Sequence, residues 1–167
     1  GSALRKILKF NEKTTGYIEE RKSEMNLPVD YIAVHIRRGD KIVSREMKEL
    51  GLSLYIDAVK GKKHISRNVF IATDDSSVKD ELKSILVAEG FNVYCNTAVT
   101  QTGFDESLFN TKDKKSRYID TLNMLLDMDI LIHSSFFIGT YTSNVSRIVP
   151  LYVGFGKSLS LDDEWKL

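Results

Sequence analysis

The stretch AVHIRRGDK, residues 33–41, carries an apolar run into an imidazole, two adjacent guanidiniums, a carboxylate and an ammonium: His35, Arg37, Arg38, Asp40 and Lys41. Arginine forks match the oxygens of a phosphate, so a pair delivered to one place suits an anionic ligand. Two more segments carry residue types for the same work. ATDD sets Asp74 beside Asp75, and GTYTSNVSR, Gly139 to Arg147, combines Thr142, Ser143, Asn144 and Arg147 with the start of a helix. The first amides of a helix lack internal partners and carry the positive end of its dipole, which favours phosphate. Ser143 can cap that helix or donate to a phosphate oxygen. Alone, the turn reads as a capped helix; beside two arginines at the same sheet edge, it reads as an anion site.

Other chemistries fit less well. Neither G-x-x-x-x-G-K-[ST] nor G-x-G-x-x-G occurs, so arginine side chains would supply charge that a glycine-rich loop leaves to its backbone. Arg38-Gly39-Asp40 spells an adhesion triplet, but it follows a buried strand instead of crowning a long exposed loop. Asp74 and Asp75 could hold a divalent metal, yet two adjacent side chains seldom converge without further ligands, so a hydrogen-bonding or capping role is expected. His35 stays open between a satisfied core histidine and a ligand contact.

The elements that must position these residues alternate. A helix is expected over 4–26, closed by Pro28, then a strand from Tyr31 to Ile36. A helix over 46–60 with a break near Gly51 leads to the buried strand Val69–Thr73. Asp75 or Ser76 caps a helix with the apolar face Val78, Leu82, Ile85 and Leu86 and a stop at Gly90, before the strand Phe91–Cys95. Residues 98–117 read as a loop, Tyr118–Ile132 as a helix and Phe136–Gly139 as a strand. A short helix from Ser143 to Val149 stops at Pro150, before a last strand at Leu151–Val153. Alternation of this kind specifies an α/β domain of Rossmann-like type, a parallel sheet with helices on both faces. In such sheets ligands sit beyond the carboxyl ends of the strands, where all three charged or polar turns fall.

Composition narrows the partners. Twenty-four Lys and Arg against 23 Asp and Glu give a formal charge of +1, without the strong basic excess of a nucleic-acid binder. Cys95 is the only cysteine, so neither an intrachain disulfide nor a cysteine-based zinc cluster can form, and His35, His64 and His133 lack metal-site spacing. No apolar run has the length of a membrane span, and no signal-peptide pattern opens the chain. Gly1-Ser2 reads as a cloning scar, so the expected unit is one domain over 3–167, which fits a piece cut from something longer.

VHIRRGDK resembles the VHxRRxDK arginine motif of the core (alpha-1,6) fucosyltransferases and the related rhizobial nodulation fucosyltransferases. VFIATDD is similar to that family's second motif. LLDMDILIHSSFFIGTYTSNVSRIV is similar to its third, where an aspartate on a helix precedes a TxSSxxxR turn. The resemblance runs in order from about residue 10 to residue 153. It implies the carboxyl-terminal, donor-binding half of a two-domain GT-B glycosyltransferase, a nucleotide-sugar-binding domain that uses GDP-fucose. It further implies inverting, metal-independent transfer of fucose to a glycan hydroxyl, with no cofactor. Carried over by motif, Arg37 binds the β-phosphate and Arg38 supports the site. His35 and Asp127 read guanine; Ser143, with Thr142, Asn144 and Arg147 around it, contacts the diphosphate. Asp40, Lys41, Asp74 and Asp75 order or line the site.

Two departures accompany the resemblance. The glutamate that follows the arginine motif in the core enzymes aligns with Arg45, so a one-residue slip is needed to make Glu46 the base. The acceptor-binding half is absent and would have to come in cis or in trans, which leaves a non-catalytic GDP or nucleotide-sugar binding module as the alternative. Asn144-Val145-Ser146 is also a glycosylation sequon within the phosphate turn, which favours the cytoplasm over the Golgi lumen.

Overall fold

The computed structural model describes residues 9–38, 50–98, 100 and 103–165. Helix α1 (Glu12–Met25) starts where the Asn11 side chain accepts the Thr14 amide at 2.9 Å and ends where Asn26 turns left-handed, at φ 49°. The expected start at residue 4 does not hold over residues 9–11, and residues 1–8 lie outside the described residues. Strand β1 (Ile32–Ile36) is buried along its whole length, as expected of a run with no polar alternation. Helix α2 (Leu52–Gly61) comes next, its first turn preceded by Gly51 in extended conformation; of the expected stretch before the break, 46–49 lie outside the described residues and Leu50 is not helical.

Strand β2 (Asn68–Thr73), helix α3 (Ser76–Ala88) and strand β3 (Asn92–Cys95) match the expected order. Asp75 makes the cap of α3, accepting from the Ser77 and Val78 amides at 2.9 and 3.3 Å. The expected loop over 98–117 contains helix α4 (Glu106–Thr111), and helix α5 (Lys114–Ile132) begins before Tyr118. Asp105 and Asp113 cap these two helices, each accepting two backbone amides, so polar residues start what the apolar pattern showed only later.

Strand β4 (Phe136–Gly139) leads into helix α6 (Asn144–Val153). This helix runs through Pro150 and takes up Leu151–Val153, which therefore is not a strand. Proline costs one amide donor, but Val149, Pro150 and Tyr152 are buried, and the Gly154 amide still reaches the Pro150 carbonyl at 2.9 Å. A turn of 3₁₀ helix, Phe155–Lys157, then precedes the real last strand, β5 (Ser158–Ser160).

The sheet is five-stranded and wholly parallel, in the order β3-β2-β1-β4-β5. Alternate residues of β1 face opposite layers. Ala33 packs with Ile18 of α1, Leu126 and Ile130 of α5 and Val149 of α6, while Ile32, Val34 and Ile36 pack with Tyr55 and Val59 of α2 and Leu82 and Leu86 of α3. Each fully buried Ile, Val or Leu among them contributes about 1.5–3 kcal/mol. The chain winds outward from β1 to β3, then returns to build β4 and β5 on the other side. The crevice between β1 and β4 is thus the topological switch point, where α/β sheets bind ligands.

Candidate functional site

Three chain segments meet at the carboxyl edge. Asp74, just past β2, ties them: its Oδ1 accepts the Arg38 amide at 2.7 Å and its Oδ2 accepts the Phe104 amide at 3.0 Å. Its carbonyl also accepts the Gly103 amide at 2.9 Å. The Arg37 guanidinium lies 3.4 Å from the same carboxylate, through Nε, and 5.0 Å from the Phe104 ring centre. A charge so flanked has its direction set by a carboxylate and an aromatic face instead of by water. Arg38 is buried and donates through Nη2 to the Leu50 carbonyl at 2.8 Å, so it ties the end of β1 to the residues just before α2.

His35 faces α6. Its Nδ1 lies 2.7 Å from Ser146 Oγ on α6, across the switch point. Burial first, then the nearby Arg37 charge, depresses its pKa to about 3, so the ring is neutral at ordinary pH. Gly139 makes this contact possible: a Cβ there would stand 2.6 Å from Phe137 Cζ and 2.7 Å from Ser146 Oγ.

The turn after β4 is held from outside. Ser143 occupies the cap position of α6 and is nearly fully buried, yet its side chain makes no cap hydrogen bond. Thr142 donates its amide and hydroxyl to Asp162 Oδ2 at 3.1 and 2.6 Å. Asn144 accepts from Arg147, whose guanidinium lies 5.5 Å from the Tyr141 ring centre. Arg147 therefore serves the turn's own outer face.

Asp127, on α5, is half-buried beside Asn96, whose side-chain amide donates to Oδ1 at 3.3 Å. Burial raises its pKa to about 7, against the opposing effect of the Asn96 hydrogen bond. Asp75 spends its carboxylate on the α3 cap; burial works against its charge, but hydrogen bonds from Ser77 and Val78 and the charge of Arg38 hold its pKa below the usual range. Of the other expected site residues, Asp40, Lys41 and Glu46 lie outside the described residues.

The structure thus brings together Arg37, Arg38 and Asp74 on one side and His35 with the α6 turn on the other. Sequence reasoning missed four partners. Asn96 directly follows β3 at the ligand edge, a position that could have flagged it. Ser146 lies one helical turn past Ser143. Phe104 and Asp162 carry no local signal, because only the folded chain brings them to the motifs.

Comparison with known proteins agrees with this fold. The family model for alpha-(1,6)-fucosyltransferase N- and catalytic domains matches residues 1–151. The alpha-(1,6)-fucosyltransferase of Caenorhabditis elegans is 23% identical, over 89% of this chain and 26% of its own length. Among solved structures, NodZ alpha-1,6-fucosyltransferase co-crystallised with GDP shares the fold at a TM-score of 0.58 and 20% identity, over 87% of this chain and 43% of that one. POFUT1 in complex with GDP-fucose does so at 0.58 and 14% identity, over 95% and 47% respectively. The chain spans less than half the length of each of these relatives.

Proposed function

Since the chain belongs to the alpha-(1,6)-fucosyltransferase family, we propose that it is the donor-binding half of a GDP-fucose-dependent fucosyltransferase acting on a glycan hydroxyl. The observation that carries the reading is Arg37, held by Asp74 and Phe104 beside the switch point that the Thr140–Ser143 turn also borders. Structures of the same fold hold GDP or GDP-fucose, which supports a guanine nucleotide as the ligand class.

In this reading Arg37 meets the β-phosphate. GDP is the leaving group, and fixed positive charge stabilises the negative charge that grows as the glycosidic bond breaks. With a guanidinium in that role, the reaction needs no metal or other cofactor. Ser143, between Thr142 and Asn144, and the first amides of α6 supply the remaining donors to the diphosphate. Arg38, Asp74 and Asp75 order the loops around them, and Asp40 and Lys41 line the site. Asp127 and His35 read guanine, since a carboxylate accepts from its N1–H and amino groups together. Inversion requires a base on the acceptor hydroxyl, a role assigned here to Glu46. The acceptor oxygen bonds to the anomeric carbon as its proton passes to that carboxylate and GDP departs. The acceptor is bound by a further half, in cis or in trans.

Calorimetric titration of the wild type and Arg37→Ala with GDP tests the assignment. Loss of a charge-assisted contact costs about 1.5–3 kcal/mol, roughly 10- to 100-fold in affinity. Unchanged affinity in a folded variant would exclude Arg37 from the diphosphate site.

A further inference from the structure

Asp162, just beyond β5, belongs to none of the three motifs, yet it carries the turn. Its Oδ1 accepts the Tyr141 amide at 2.6 Å and the Ser160 hydroxyl at 2.8 Å, while its Oδ2 accepts the Thr142 amide and hydroxyl. Ser160 Oγ also accepts the Tyr141 amide at 3.0 Å, and the Leu161 amide donates to the Gly139 carbonyl at 2.9 Å. The tail after β5 is therefore stitched to the β4–α6 turn at consecutive positions. Partial burial opposes the Asp162 charge, but the hydrogen bonds from Thr142, Ser160 and Tyr141 outweigh it and keep the group ionised.

The hydroxyls of the turn are divided by this contact. That of Thr142 is spent on Asp162, that of Ser143 makes no cap bond, and that of Thr140 is buried with no hydrogen-bond partner among the described residues. The Tyr141 ring is flanked by the Arg147 guanidinium and, edge-on, by Trp165 at 6.5 Å. The backbone of Tyr141 and Thr142 is thus fixed from outside, and the chain enters Ser143 and the first turn of α6 from that fixed point.

We infer that Asp162 is a positioning residue for the donor turn: it orients Ser143 and the α6 amides toward the diphosphate, and Thr142 serves this clamp instead of the ligand. The inference rests on the reading of the turn as diphosphate-binding. A carboxylate acting in this way touches neither phosphate nor sugar. Its effect reaches the diphosphate alone and leaves base recognition untouched.

The test is calorimetry of wild type, Asp162→Asn, Thr142→Val and the double variant with GDP and with guanosine, alongside thermal midpoints. Each single variant is expected to weaken GDP by roughly 10-fold while leaving guanosine unchanged, with the double variant no weaker than either single. Thr142→Ser, which keeps the hydroxyl, is expected to retain wild-type affinity. Should Asp162→Asn prove too unstable, Thr142→Val, which removes only a hydroxyl, reads the clamp by itself. Tighter GDP binding in Asp162→Asn would show the carboxylate competing with the diphosphate and overturn the inference. Parallel losses for GDP and guanosine, additive losses in the double variant, or unchanged affinity would do the same. If the wild type itself binds no GDP, the diphosphate reading falls and the inference with it; wild-type binding with indifferent variants overturns only the role of Asp162.

Discussion

Asp74 is the residue on which the arginine site depends. It is 11% exposed and accepts two backbone amides from separate loops while setting the direction of Arg37. Asp74→Ala would strand the Arg38 and Phe104 amides in a partly buried place, at a cost of about 1–3 kcal/mol. Urea denaturation should show that loss; a change below about 0.5 kcal/mol, the level of an ordinary surface substitution, would contradict it. As the proposed reader of guanine, Asp127 makes a different demand. Only the ionised form accepts both donors of guanine, and its pKa is raised to about 7. GDP affinity should therefore rise as the pH climbs through about 7, and Asp127→Asn should flatten that rise. An equally steep rise in the variant would assign the proton to another group.

At the scale of elements, the strands near the site were legible because buried parallel strands read as continuous apolar runs, as Val69–Thr73 and Phe136–Gly139 do. The start of α5 was not, since Lys114 to Arg117 carry no apolar face and the start depends on the Asp113 cap. Nor was the end of the chain. Leu151–Val153 has strand-like residues after a proline, but tertiary burial keeps it helical, while Ser158–Ser160 is too short and polar to show a pattern. The motifs themselves were legible because each is local; their clamps, Asp162 and Phe104, arrive from far along the chain. Gly139 joins both levels, since α6 approaches β4 there closely enough to seat Ser146 against His35. Gly139→Ala should destabilise the fold by about 1–3 kcal/mol through overpacking and weaken GDP binding by displacing α6. Gly156→Ala, where an added Cβ meets nothing within 4 Å, is the control. Equal behaviour of the two variants would remove the packing argument.

For the whole molecule, two titratable groups, buried His35 and half-buried Asp127, pull stability in opposite directions. His35 is depressed from 6.5 to about 3, so the unfolded chain binds more protons between those values and stability is lost as the pH falls through that window. Asp127 is raised from 3.8 to about 7, so the folded chain binds more protons there and stability is lost as the pH rises from about 4 to about 7. Between about pH 4 and 6.5 the two slopes oppose each other. Urea midpoints of Asp127→Asn should climb with pH across that range more steeply than those of the wild type; identical slopes would show that Asp127 is not protonated in the native state.

The proposed donor site joins a guanine reader on α5 to a diphosphate clamp at the switch point, so its direct test is nucleotide selectivity. Calorimetric titration of the protein with GDP, ADP and UDP should give binding for GDP alone. Equal binding of all three, or tighter binding of ADP or UDP, would contradict the donor assignment.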